Sequence, residues 1–218
     1  MQLKSFLATT LVLFLACPAW AQTSQKTPPK WFRGTVKKLN GQALSVMLED
    51  GRDVSFTLAP KLKIVANVRR TLADIRPGDF VGSAGIKEAN GKLYAQEVHI
   101  FPEDMRGTAE GQRPMGPNPE RNMTNASVSA VASRPARSMT NATVTAVTQQ
   151  GGILKLKYKG GEAETIVRPG TPIVAFVPGD RSLLKTGATV LILAIKNEQG
   201  WTAVFVNAEK DGVMPLRL

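Results

Sequence analysis

Cysteine, histidine and aromatic residues are scarce in this chain, and each shortage removes a class of chemistry. There is one cysteine, Cys17, and one histidine, His99, in 218 residues. A single cysteine excludes an internal disulfide, and a lone imidazole builds neither a Ser-His-Asp constellation by itself nor a multi-histidine metal site. Aromatics make up 6% of the residues, and they are not interleaved with basic residues as a stacking face for nucleic acid requires. Beyond the first two dozen residues no apolar run approaches the ~18 residues that a membrane-spanning helix needs. The chain is therefore not expected to be a transmembrane protein.

The start of the chain reads as a secretion signal. Lys4 precedes an apolar run from Phe6 to Ala16, and Ala19-Trp20-Ala21 supplies the small-residue pattern for cleavage before Gln22. Residues 1 to 21 are thus expected to be removed and the remainder to work in the periplasm. A lipoprotein anchored at Cys17 is the competing reading, although Phe14 stands where the anchoring motif usually has Leu. Loss of Cys17 leaves no thiol, so thiolate ligands and cysteine nucleophiles are excluded. The fold must then rest on its hydrophobic core.

Basic residues are abundant. Removing Lys4 leaves 27 Lys and Arg against 17 Asp and Glu, a net charge of +10, spread over both halves of the chain. In an exported protein the available polyanions are envelope components such as anionic glycans. Lys155, Lys157 and Lys159 alternate along one strand pattern and are candidate anion-binding residues, spaced ~7 Å apart on one face. Lysines of this kind also guard strand edges against aggregation.

The strongest signal is internal. Ile64, Val65, Ala66 and Val68 recur 109 residues later as Ile173, Val174, Ala175 and Val177, and Gly78, Val81, Ile86, Lys87 and Gly91 recur as Gly187, Val190, Ile195, Lys196 and Gly200. This marks a duplicated unit of roughly 75 residues. Within each copy the apolar period is two: Leu44, Val46 and Leu48 turn at Asp50-Gly51 into Val54, Phe56 and Leu58, and Leu154, Leu156 and Tyr158 turn at Gly160-Gly161. Each copy continues with an Ile-Val-Ala-x-Val segment, a brief helical turn (Leu72 to Ile75, or Ser182 to Leu184), and a final hairpin. No 12-residue window after the signal keeps a helical period. The expected fold is all-β, with two tandem small barrels, OB-like or SH3-like, over residues 31–101 and 139–210. Closure hides the edges, and Gly78 and Gly187 fall where strands must bend. An open six-stranded sheet packed on its neighbour is the alternative.

Gly34-Thr35-Val36, the run Leu72-Ala73-Asp74-Ile75-Arg76-Pro77-Gly78-Asp79-Phe80-Val81, and Asn90-Gly91-Lys92-Leu93 with Ala95 and Val98 resemble the bacterial exported domain of unknown function DUF5666. That resemblance implies a small OB-like barrel in the bacterial envelope. The second copy departs from it at Thr186-Gly187-Ala188. The stretch from Ser138–Val144 through Val177–Leu183 is also similar to exported proteins labelled metal ABC transporter permease, a label at odds with the hydropathy. Neither resemblance supplies a catalytic residue.

Residues 102–138, rich in Pro, Gly, Arg and Asn, read as a linker. Within it Met123 to Val131 (MTNASVSAV) is nearly repeated as Met139 to Val147 (MTNATVTAV). The spare copy is a candidate for pairing with the edge of the second barrel, or of another molecule, as a donated strand. His99 alternates with Val98 and Ile100 and is expected on the outward face. Met105, Met115, Met123 and Met139 could, with an imidazole, ligate Cu(I), but their wide spacing argues against it. The functional expectation is an exported, non-catalytic binding or scaffold protein of the envelope. It would contact an envelope protein or an anionic glycan, without cofactor or nucleic acid. A periplasmic solute or copper accessory protein is the alternative.

Overall fold

The computed structural model describes residues 28–115, 118–133 and 151–215; the signal and the second copy of the nine-residue motif lie outside them. The described chain is nearly all strand: β1 (Lys30–Asn40), β2 (Ala43–Leu48), β3 (Asp53–Arg70), β4 (Phe80–Lys87), β5 (Leu93–Ile100), β6 (Gly111–Met115), β7 (Asn118–Ser133), β8 (Gly152–Tyr158), β9 (Gly161–Val167), β10 (Ile173–Pro178), β11 (Thr189–Asn197) and β12 (Gly200–Ala208). Three single-turn 3-10 segments, Leu72–Asp74, Glu103–Met105 and Arg181–Leu183, are the described helical elements. None is long and apolar enough to cross a membrane. The all-β expectation is met.

The strands form one sheet that closes on itself twice. In the first ring β1 pairs with β2, β2 with β3, β3 with β12, β12 with β11, and β11 with β1. In the second ring β5 pairs with β4, β4 with β7, β7 with β8, β8 with β9, and β9 with β5. The tandem arrangement, in which each half of the sequence closes its own barrel, is therefore corrected. The final hairpin of the C-terminal half, β11–β12, completes the first ring, and that of the N-terminal half, β4–β5, completes the second.

The cause lies in β3, which runs on for 18 residues. Its first part, with Phe56 and Leu58 inward, belongs to the first ring. Its second part, Val65–Arg70, pairs antiparallel with β10, with Val65 and Ala66 still paired to β12 and the rest running on past the first ring. Asn67 sits opposite Phe176, its own counterpart at the 109-residue offset, with Ala66 opposite Val177 and Val68 opposite Ala175. The Ile-Val-Ala-x-Val segment thus pairs with its copy about an approximate two-fold axis, and each chain segment emerges beside the other ring. The C-terminal half makes the same passage with a break, at Gly170, whose positive φ of 83° a residue with a Cβ rarely adopts.

Packing follows the exchange. The core of the first ring joins Phe32, Val36, Leu44, Val46, Phe56 and Leu58 to Leu184, Val190, Ile192 and Val206. That of the second joins Leu72, Ile75, Val81 and Val98 to Val128, Leu154, Leu156 and Ile173. Two of the 3-10 turns cap the ring of the opposite half: Leu184, just after Arg181–Leu183, enters the first core and Leu72 the second. Gly78 and Gly187 stand just before β4 and β11 with positive φ, and their N–H groups donate to Val128 O and Val36 O, both at 2.8 Å. These matching bonds fix β7 as the second ring's equivalent of β1.

Residues 102–138 are accordingly not a plain linker. They supply β6, which pairs only with β7 among the described strands, and β7 itself. The copy at 123–131 lies between β4 and β8 of its own chain, which agrees with the expected pairing to the second unit's edge.

Candidate functional site

Where β5 and β10 run side by side, the outer face of the second ring meets that of the first. Opposed residues in a sheet share a face, so the register places Glu97 beside Ala84 and Met123, and His99 beside Gly82 and Asn125. Glu97, His99, Met123 and Asn125 are all buried there, around the two small residues of β4. Gly82 is required sterically. A Cβ at this position would lie 2.8 Å from Asn125 Oδ1 and 2.8 Å from the Phe101 ring.

His99 is the clearest correction to the sequence reading. It is only 4% exposed and its ring stacks on Phe176, centroids 5.0 Å apart and planes 14° from parallel. Alternation correctly sends it away from the barrel interior. That outer face is itself covered by the neighbouring ring, which alternation does not encode.

From Phe176 a ladder of rings crosses the seam. Phe80, Phe101, Phe176, Phe205 and Trp31 follow one another at centroid distances of 5.4, 5.2, 6.5 and 5.9 Å. The ladder starts buried, at Phe80, and ends at Trp31, which is 43% exposed. On the outer face of the first ring Trp31 sits opposite Leu193, which sits opposite Phe205, and Ile195, also on β11, is 38% exposed. These side chains form an apolar row at the surface.

Electrostatics at the seam are those of a dry site. Burial pushes the Glu97 carboxyl up to about 7, opposed by the charges of Arg121 and Arg33, and burial pushes the His99 imidazole down to about 4. Glu97 Oε1 lies 4.0 Å from His99 Nε2, too far for a hydrogen bond, and has no other partner among the described residues. With the imidazole neutral at pH 7, the two do not form an ion pair. Arg33 is held by Glu49 Oε1 at 2.9 Å and by the carbonyl of Pro215. Nearby, Asn207 Nδ2 donates to Asn67 Oδ1 at 3.1 Å, and Asn67 Nδ2 donates to Met214 O at 3.1 Å.

Lys155, Lys157 and Lys159 are exposed on or just after β8, away from the seam. Lys155 lies opposite Glu164 and Lys157 opposite Glu162, with Lys157 Nζ 3.7 Å from Glu162 Oε1. Cross-strand glutamates thus match the charge of the first two lysines. Lys159 stands in the turn, its backbone N–H donating to Glu110 Oε1 at 3.0 Å.

Of the methionines, Met105 and Met123 are buried and Met115 half-buried, while Met139 lies outside the described residues. Among the described residues no three His, Cys, Asp or Glu side chains gather closely enough to hold a metal ion. The sequence reading missed Glu97, Asn125 and the ring ladder. A carboxylate and an imidazole two residues apart on an otherwise apolar strand were the available signal. Comparison with family models, with curated proteins and with solved structures finds no match for this chain.

Proposed function

We propose that this chain is an exported, non-catalytic binding protein of the bacterial cell envelope, in line with the DUF5666-like resemblance. Its contact face is the apolar row on the outer side of β1, β11 and β12. The exposure of Trp31 at the end of the ring ladder carries this reading. An indole 43% exposed beside Leu193, Ile195 and Phe205 offers a rigid anchor of the kind that dominates binding interfaces. Lys30 and Lys196 lie over the rings of Phe32 and Trp201, on the core side of the same strands, and are not part of this row.

The test is retention of envelope components by the mature chain and by Trp31→Ala, at low and at high salt. The reading expects a component retained by the parent chain at high salt and lost by the variant. Identical capture by both chains would remove Trp31 from any contact and with it the proposed face.

The accessory-metal alternative draws on one observation, that buried Met123 and His99 flank the small residues of β4 on the same face. Cu(I) titration of the parent and of His99→Asn distinguishes it. A copper-dependent rise in Tm that the variant lacks would favour the alternative.

A further inference from the structure

The slot that β7 fills is a strand-binding site, and a second segment of the same chain matches it. Beyond residues 123–131 and 139–147 the two copies share a proline and an arginine in the same register, while the other five positions of the strand differ. Residues 118–133 read NPERNMTNASVSAVAS, and residues 134–149, which follow directly, read RPARSMTNATVTAVTQ. The repeat unit is 16 residues, the length of β7. An even offset preserves which side chains face inward, so a slip by one unit keeps the buried face buried.

Where burial is described, the differences between the copies fall at exposed positions of β7 and at the half-buried Asn122 and Ser127, and none at a fully buried one. Every position of β7 that is buried, Met123, Thr124, Asn125, Ala126 and Val128, carries the identical residue in the second copy. Ser127 and Ser129, replaced by Thr143 and Thr145, are half-buried and exposed, and the β-branched residue favours the strand. Pro119 recurs as Pro135, so the missing N–H falls at the same point of the ladder. Arg121, whose charge acts on Glu97, recurs as Arg137.

The connections exchange symmetrically. With 118–133 in the slot, two residues separate β6 from the strand and 18 separate the strand from β8. With 134–149 in the slot the two lengths trade places, leaving Gln150-Gly151 as the link to β8. That is the length of the Gly41-Gln42 link between β1 and β2. It also puts the second copy close to the place of β1 in the other half, because Phe32 and Val36 correspond to Thr124 and Val128, and so to Thr140 and Val144, at an offset of 108. Loop closure depends only weakly on length and both links are short enough to hold each copy near the slot, so neither state is set apart by its loops.

We infer that the site between β4 and β8 is bistable, occupied by residues 118–133 in the state described and by residues 134–149 in a second state of the same molecule. Ser127 is directly opposite Lys157, and in the second state Thr143 takes that place. The test is disulfide formation at equilibrium in a glutathione redox buffer, in the full chain with Cys17→Ser, for the pairs S127C/K157C and T143C/K157C. Both pairs are expected to form intramolecular disulfides, with effective concentrations within about tenfold of each other. A T143C/K157C pair that stays reduced at least a hundredfold below S127C/K157C overturns the inference. The second pair is also placed in a chain lacking residues 118–133, where only the second copy is present. That variant should fold and form the disulfide as readily as S127C/K157C does in the full chain, and its failure overturns the match between copy and slot.

Discussion

The two rings share an architecture but differ at three equivalent interior places, and the difference shows what each is built for. In the first ring Phe32 lies opposite Ile192, and Phe56 opposite Leu44. The Phe32 and Phe56 rings meet edge to face at 5.1 Å. In the second ring the corresponding pairs are Thr124 opposite Ser83, and Thr165 opposite Leu154. All three hydroxyls are buried, and none finds a hydrogen-bond partner among the described residues. The outer faces differ as well. Asn207 opposite Leu191 in the first ring becomes His99 opposite Gly82 in the second. The first ring is the well-packed apolar scaffold. The second carries most of the unpaired buried polar groups among the described residues, Asn207 Oδ1 of the first ring being the exception, together with the seam carboxylate and the exchangeable strand.

The largest effect in this comparison should come from Phe56→Ala. It deletes a fully buried ring and is expected to cost about 3–5 kcal/mol in denaturant unfolding. Thr165→Val, at the corresponding place in the second ring, should instead be neutral or stabilising by ~1 kcal/mol, because it replaces an unpartnered hydroxyl with a methyl of the same shape. A loss of several kcal/mol from Thr165→Val would show that the hydroxyl has a partner and that the second core is not under-satisfied.

The seam pair separates the rings by pH. Glu97 holds its proton in the folded state up to about 7, while the unfolded chain releases it near 4.5, so stability falls as pH rises from 4.5 to 7. His99 behaves in the opposite sense. Unfolded, it takes up a proton below 6.5 and folded only near 4, so stability falls as pH drops from 6.5 to 4. The two slopes nearly cancel in their shared window. Glu97→Gln should gain up to ~3 kcal/mol relative to the parent chain between pH 4.5 and 7 and stay level above. His99→Asn, which copies Asn207 of the first ring, should gain as pH falls below 6.5. Parallel pH profiles for parent and variants would contradict burial as the cause.

Gly82→Ala should follow at about 1–3 kcal/mol, since the new methyl displaces Phe101 or Asn125, with a loosened ring ladder detectable as a changed environment of Trp31. Smallest of all, Lys157→Gln should change stability by less than ~1 kcal/mol, because its ion pair with Glu162 is exposed.

Much of this fold is legible in the sequence, for identifiable reasons. Period-two alternation in Leu44–Leu48 and Leu154–Tyr158, and the turns at Gly51 and Gly160, depend on neighbours in the chain and are local signals. The exchange of hairpins is not local. Segments 80–100 and 189–208 carry nearly the same pattern, so either could complete either ring, and only the pairing of Val65–Arg70 with Ile173–Pro178 decides between them. The linker reading failed because Pro119, Asn122 and Asn125 look like loop residues. In β7 the proline sits near the strand start, and Asn125 Nδ2 donates to Thr108 O at 2.9 Å. The seam was hidden for the same reason as His99: a face that alternation marks as outward is buried by the other ring.

The central claim is that each ring is assembled from both halves of the chain, and a single pair of cysteines tests it. Thr35 and Thr189 are directly opposite one another in β1 and β11, both half-buried on the outer face. In a chain with Cys17→Ser, T35C/T189C should oxidise to an intramolecular disulfide without loss of folded structure. The residue that a tandem barrel would place opposite Thr35 is Phe80, 109 positions before Thr189. A disulfide in T35C/F80C, with none in T35C/T189C, would mean that each half closes on itself and would contradict the exchange.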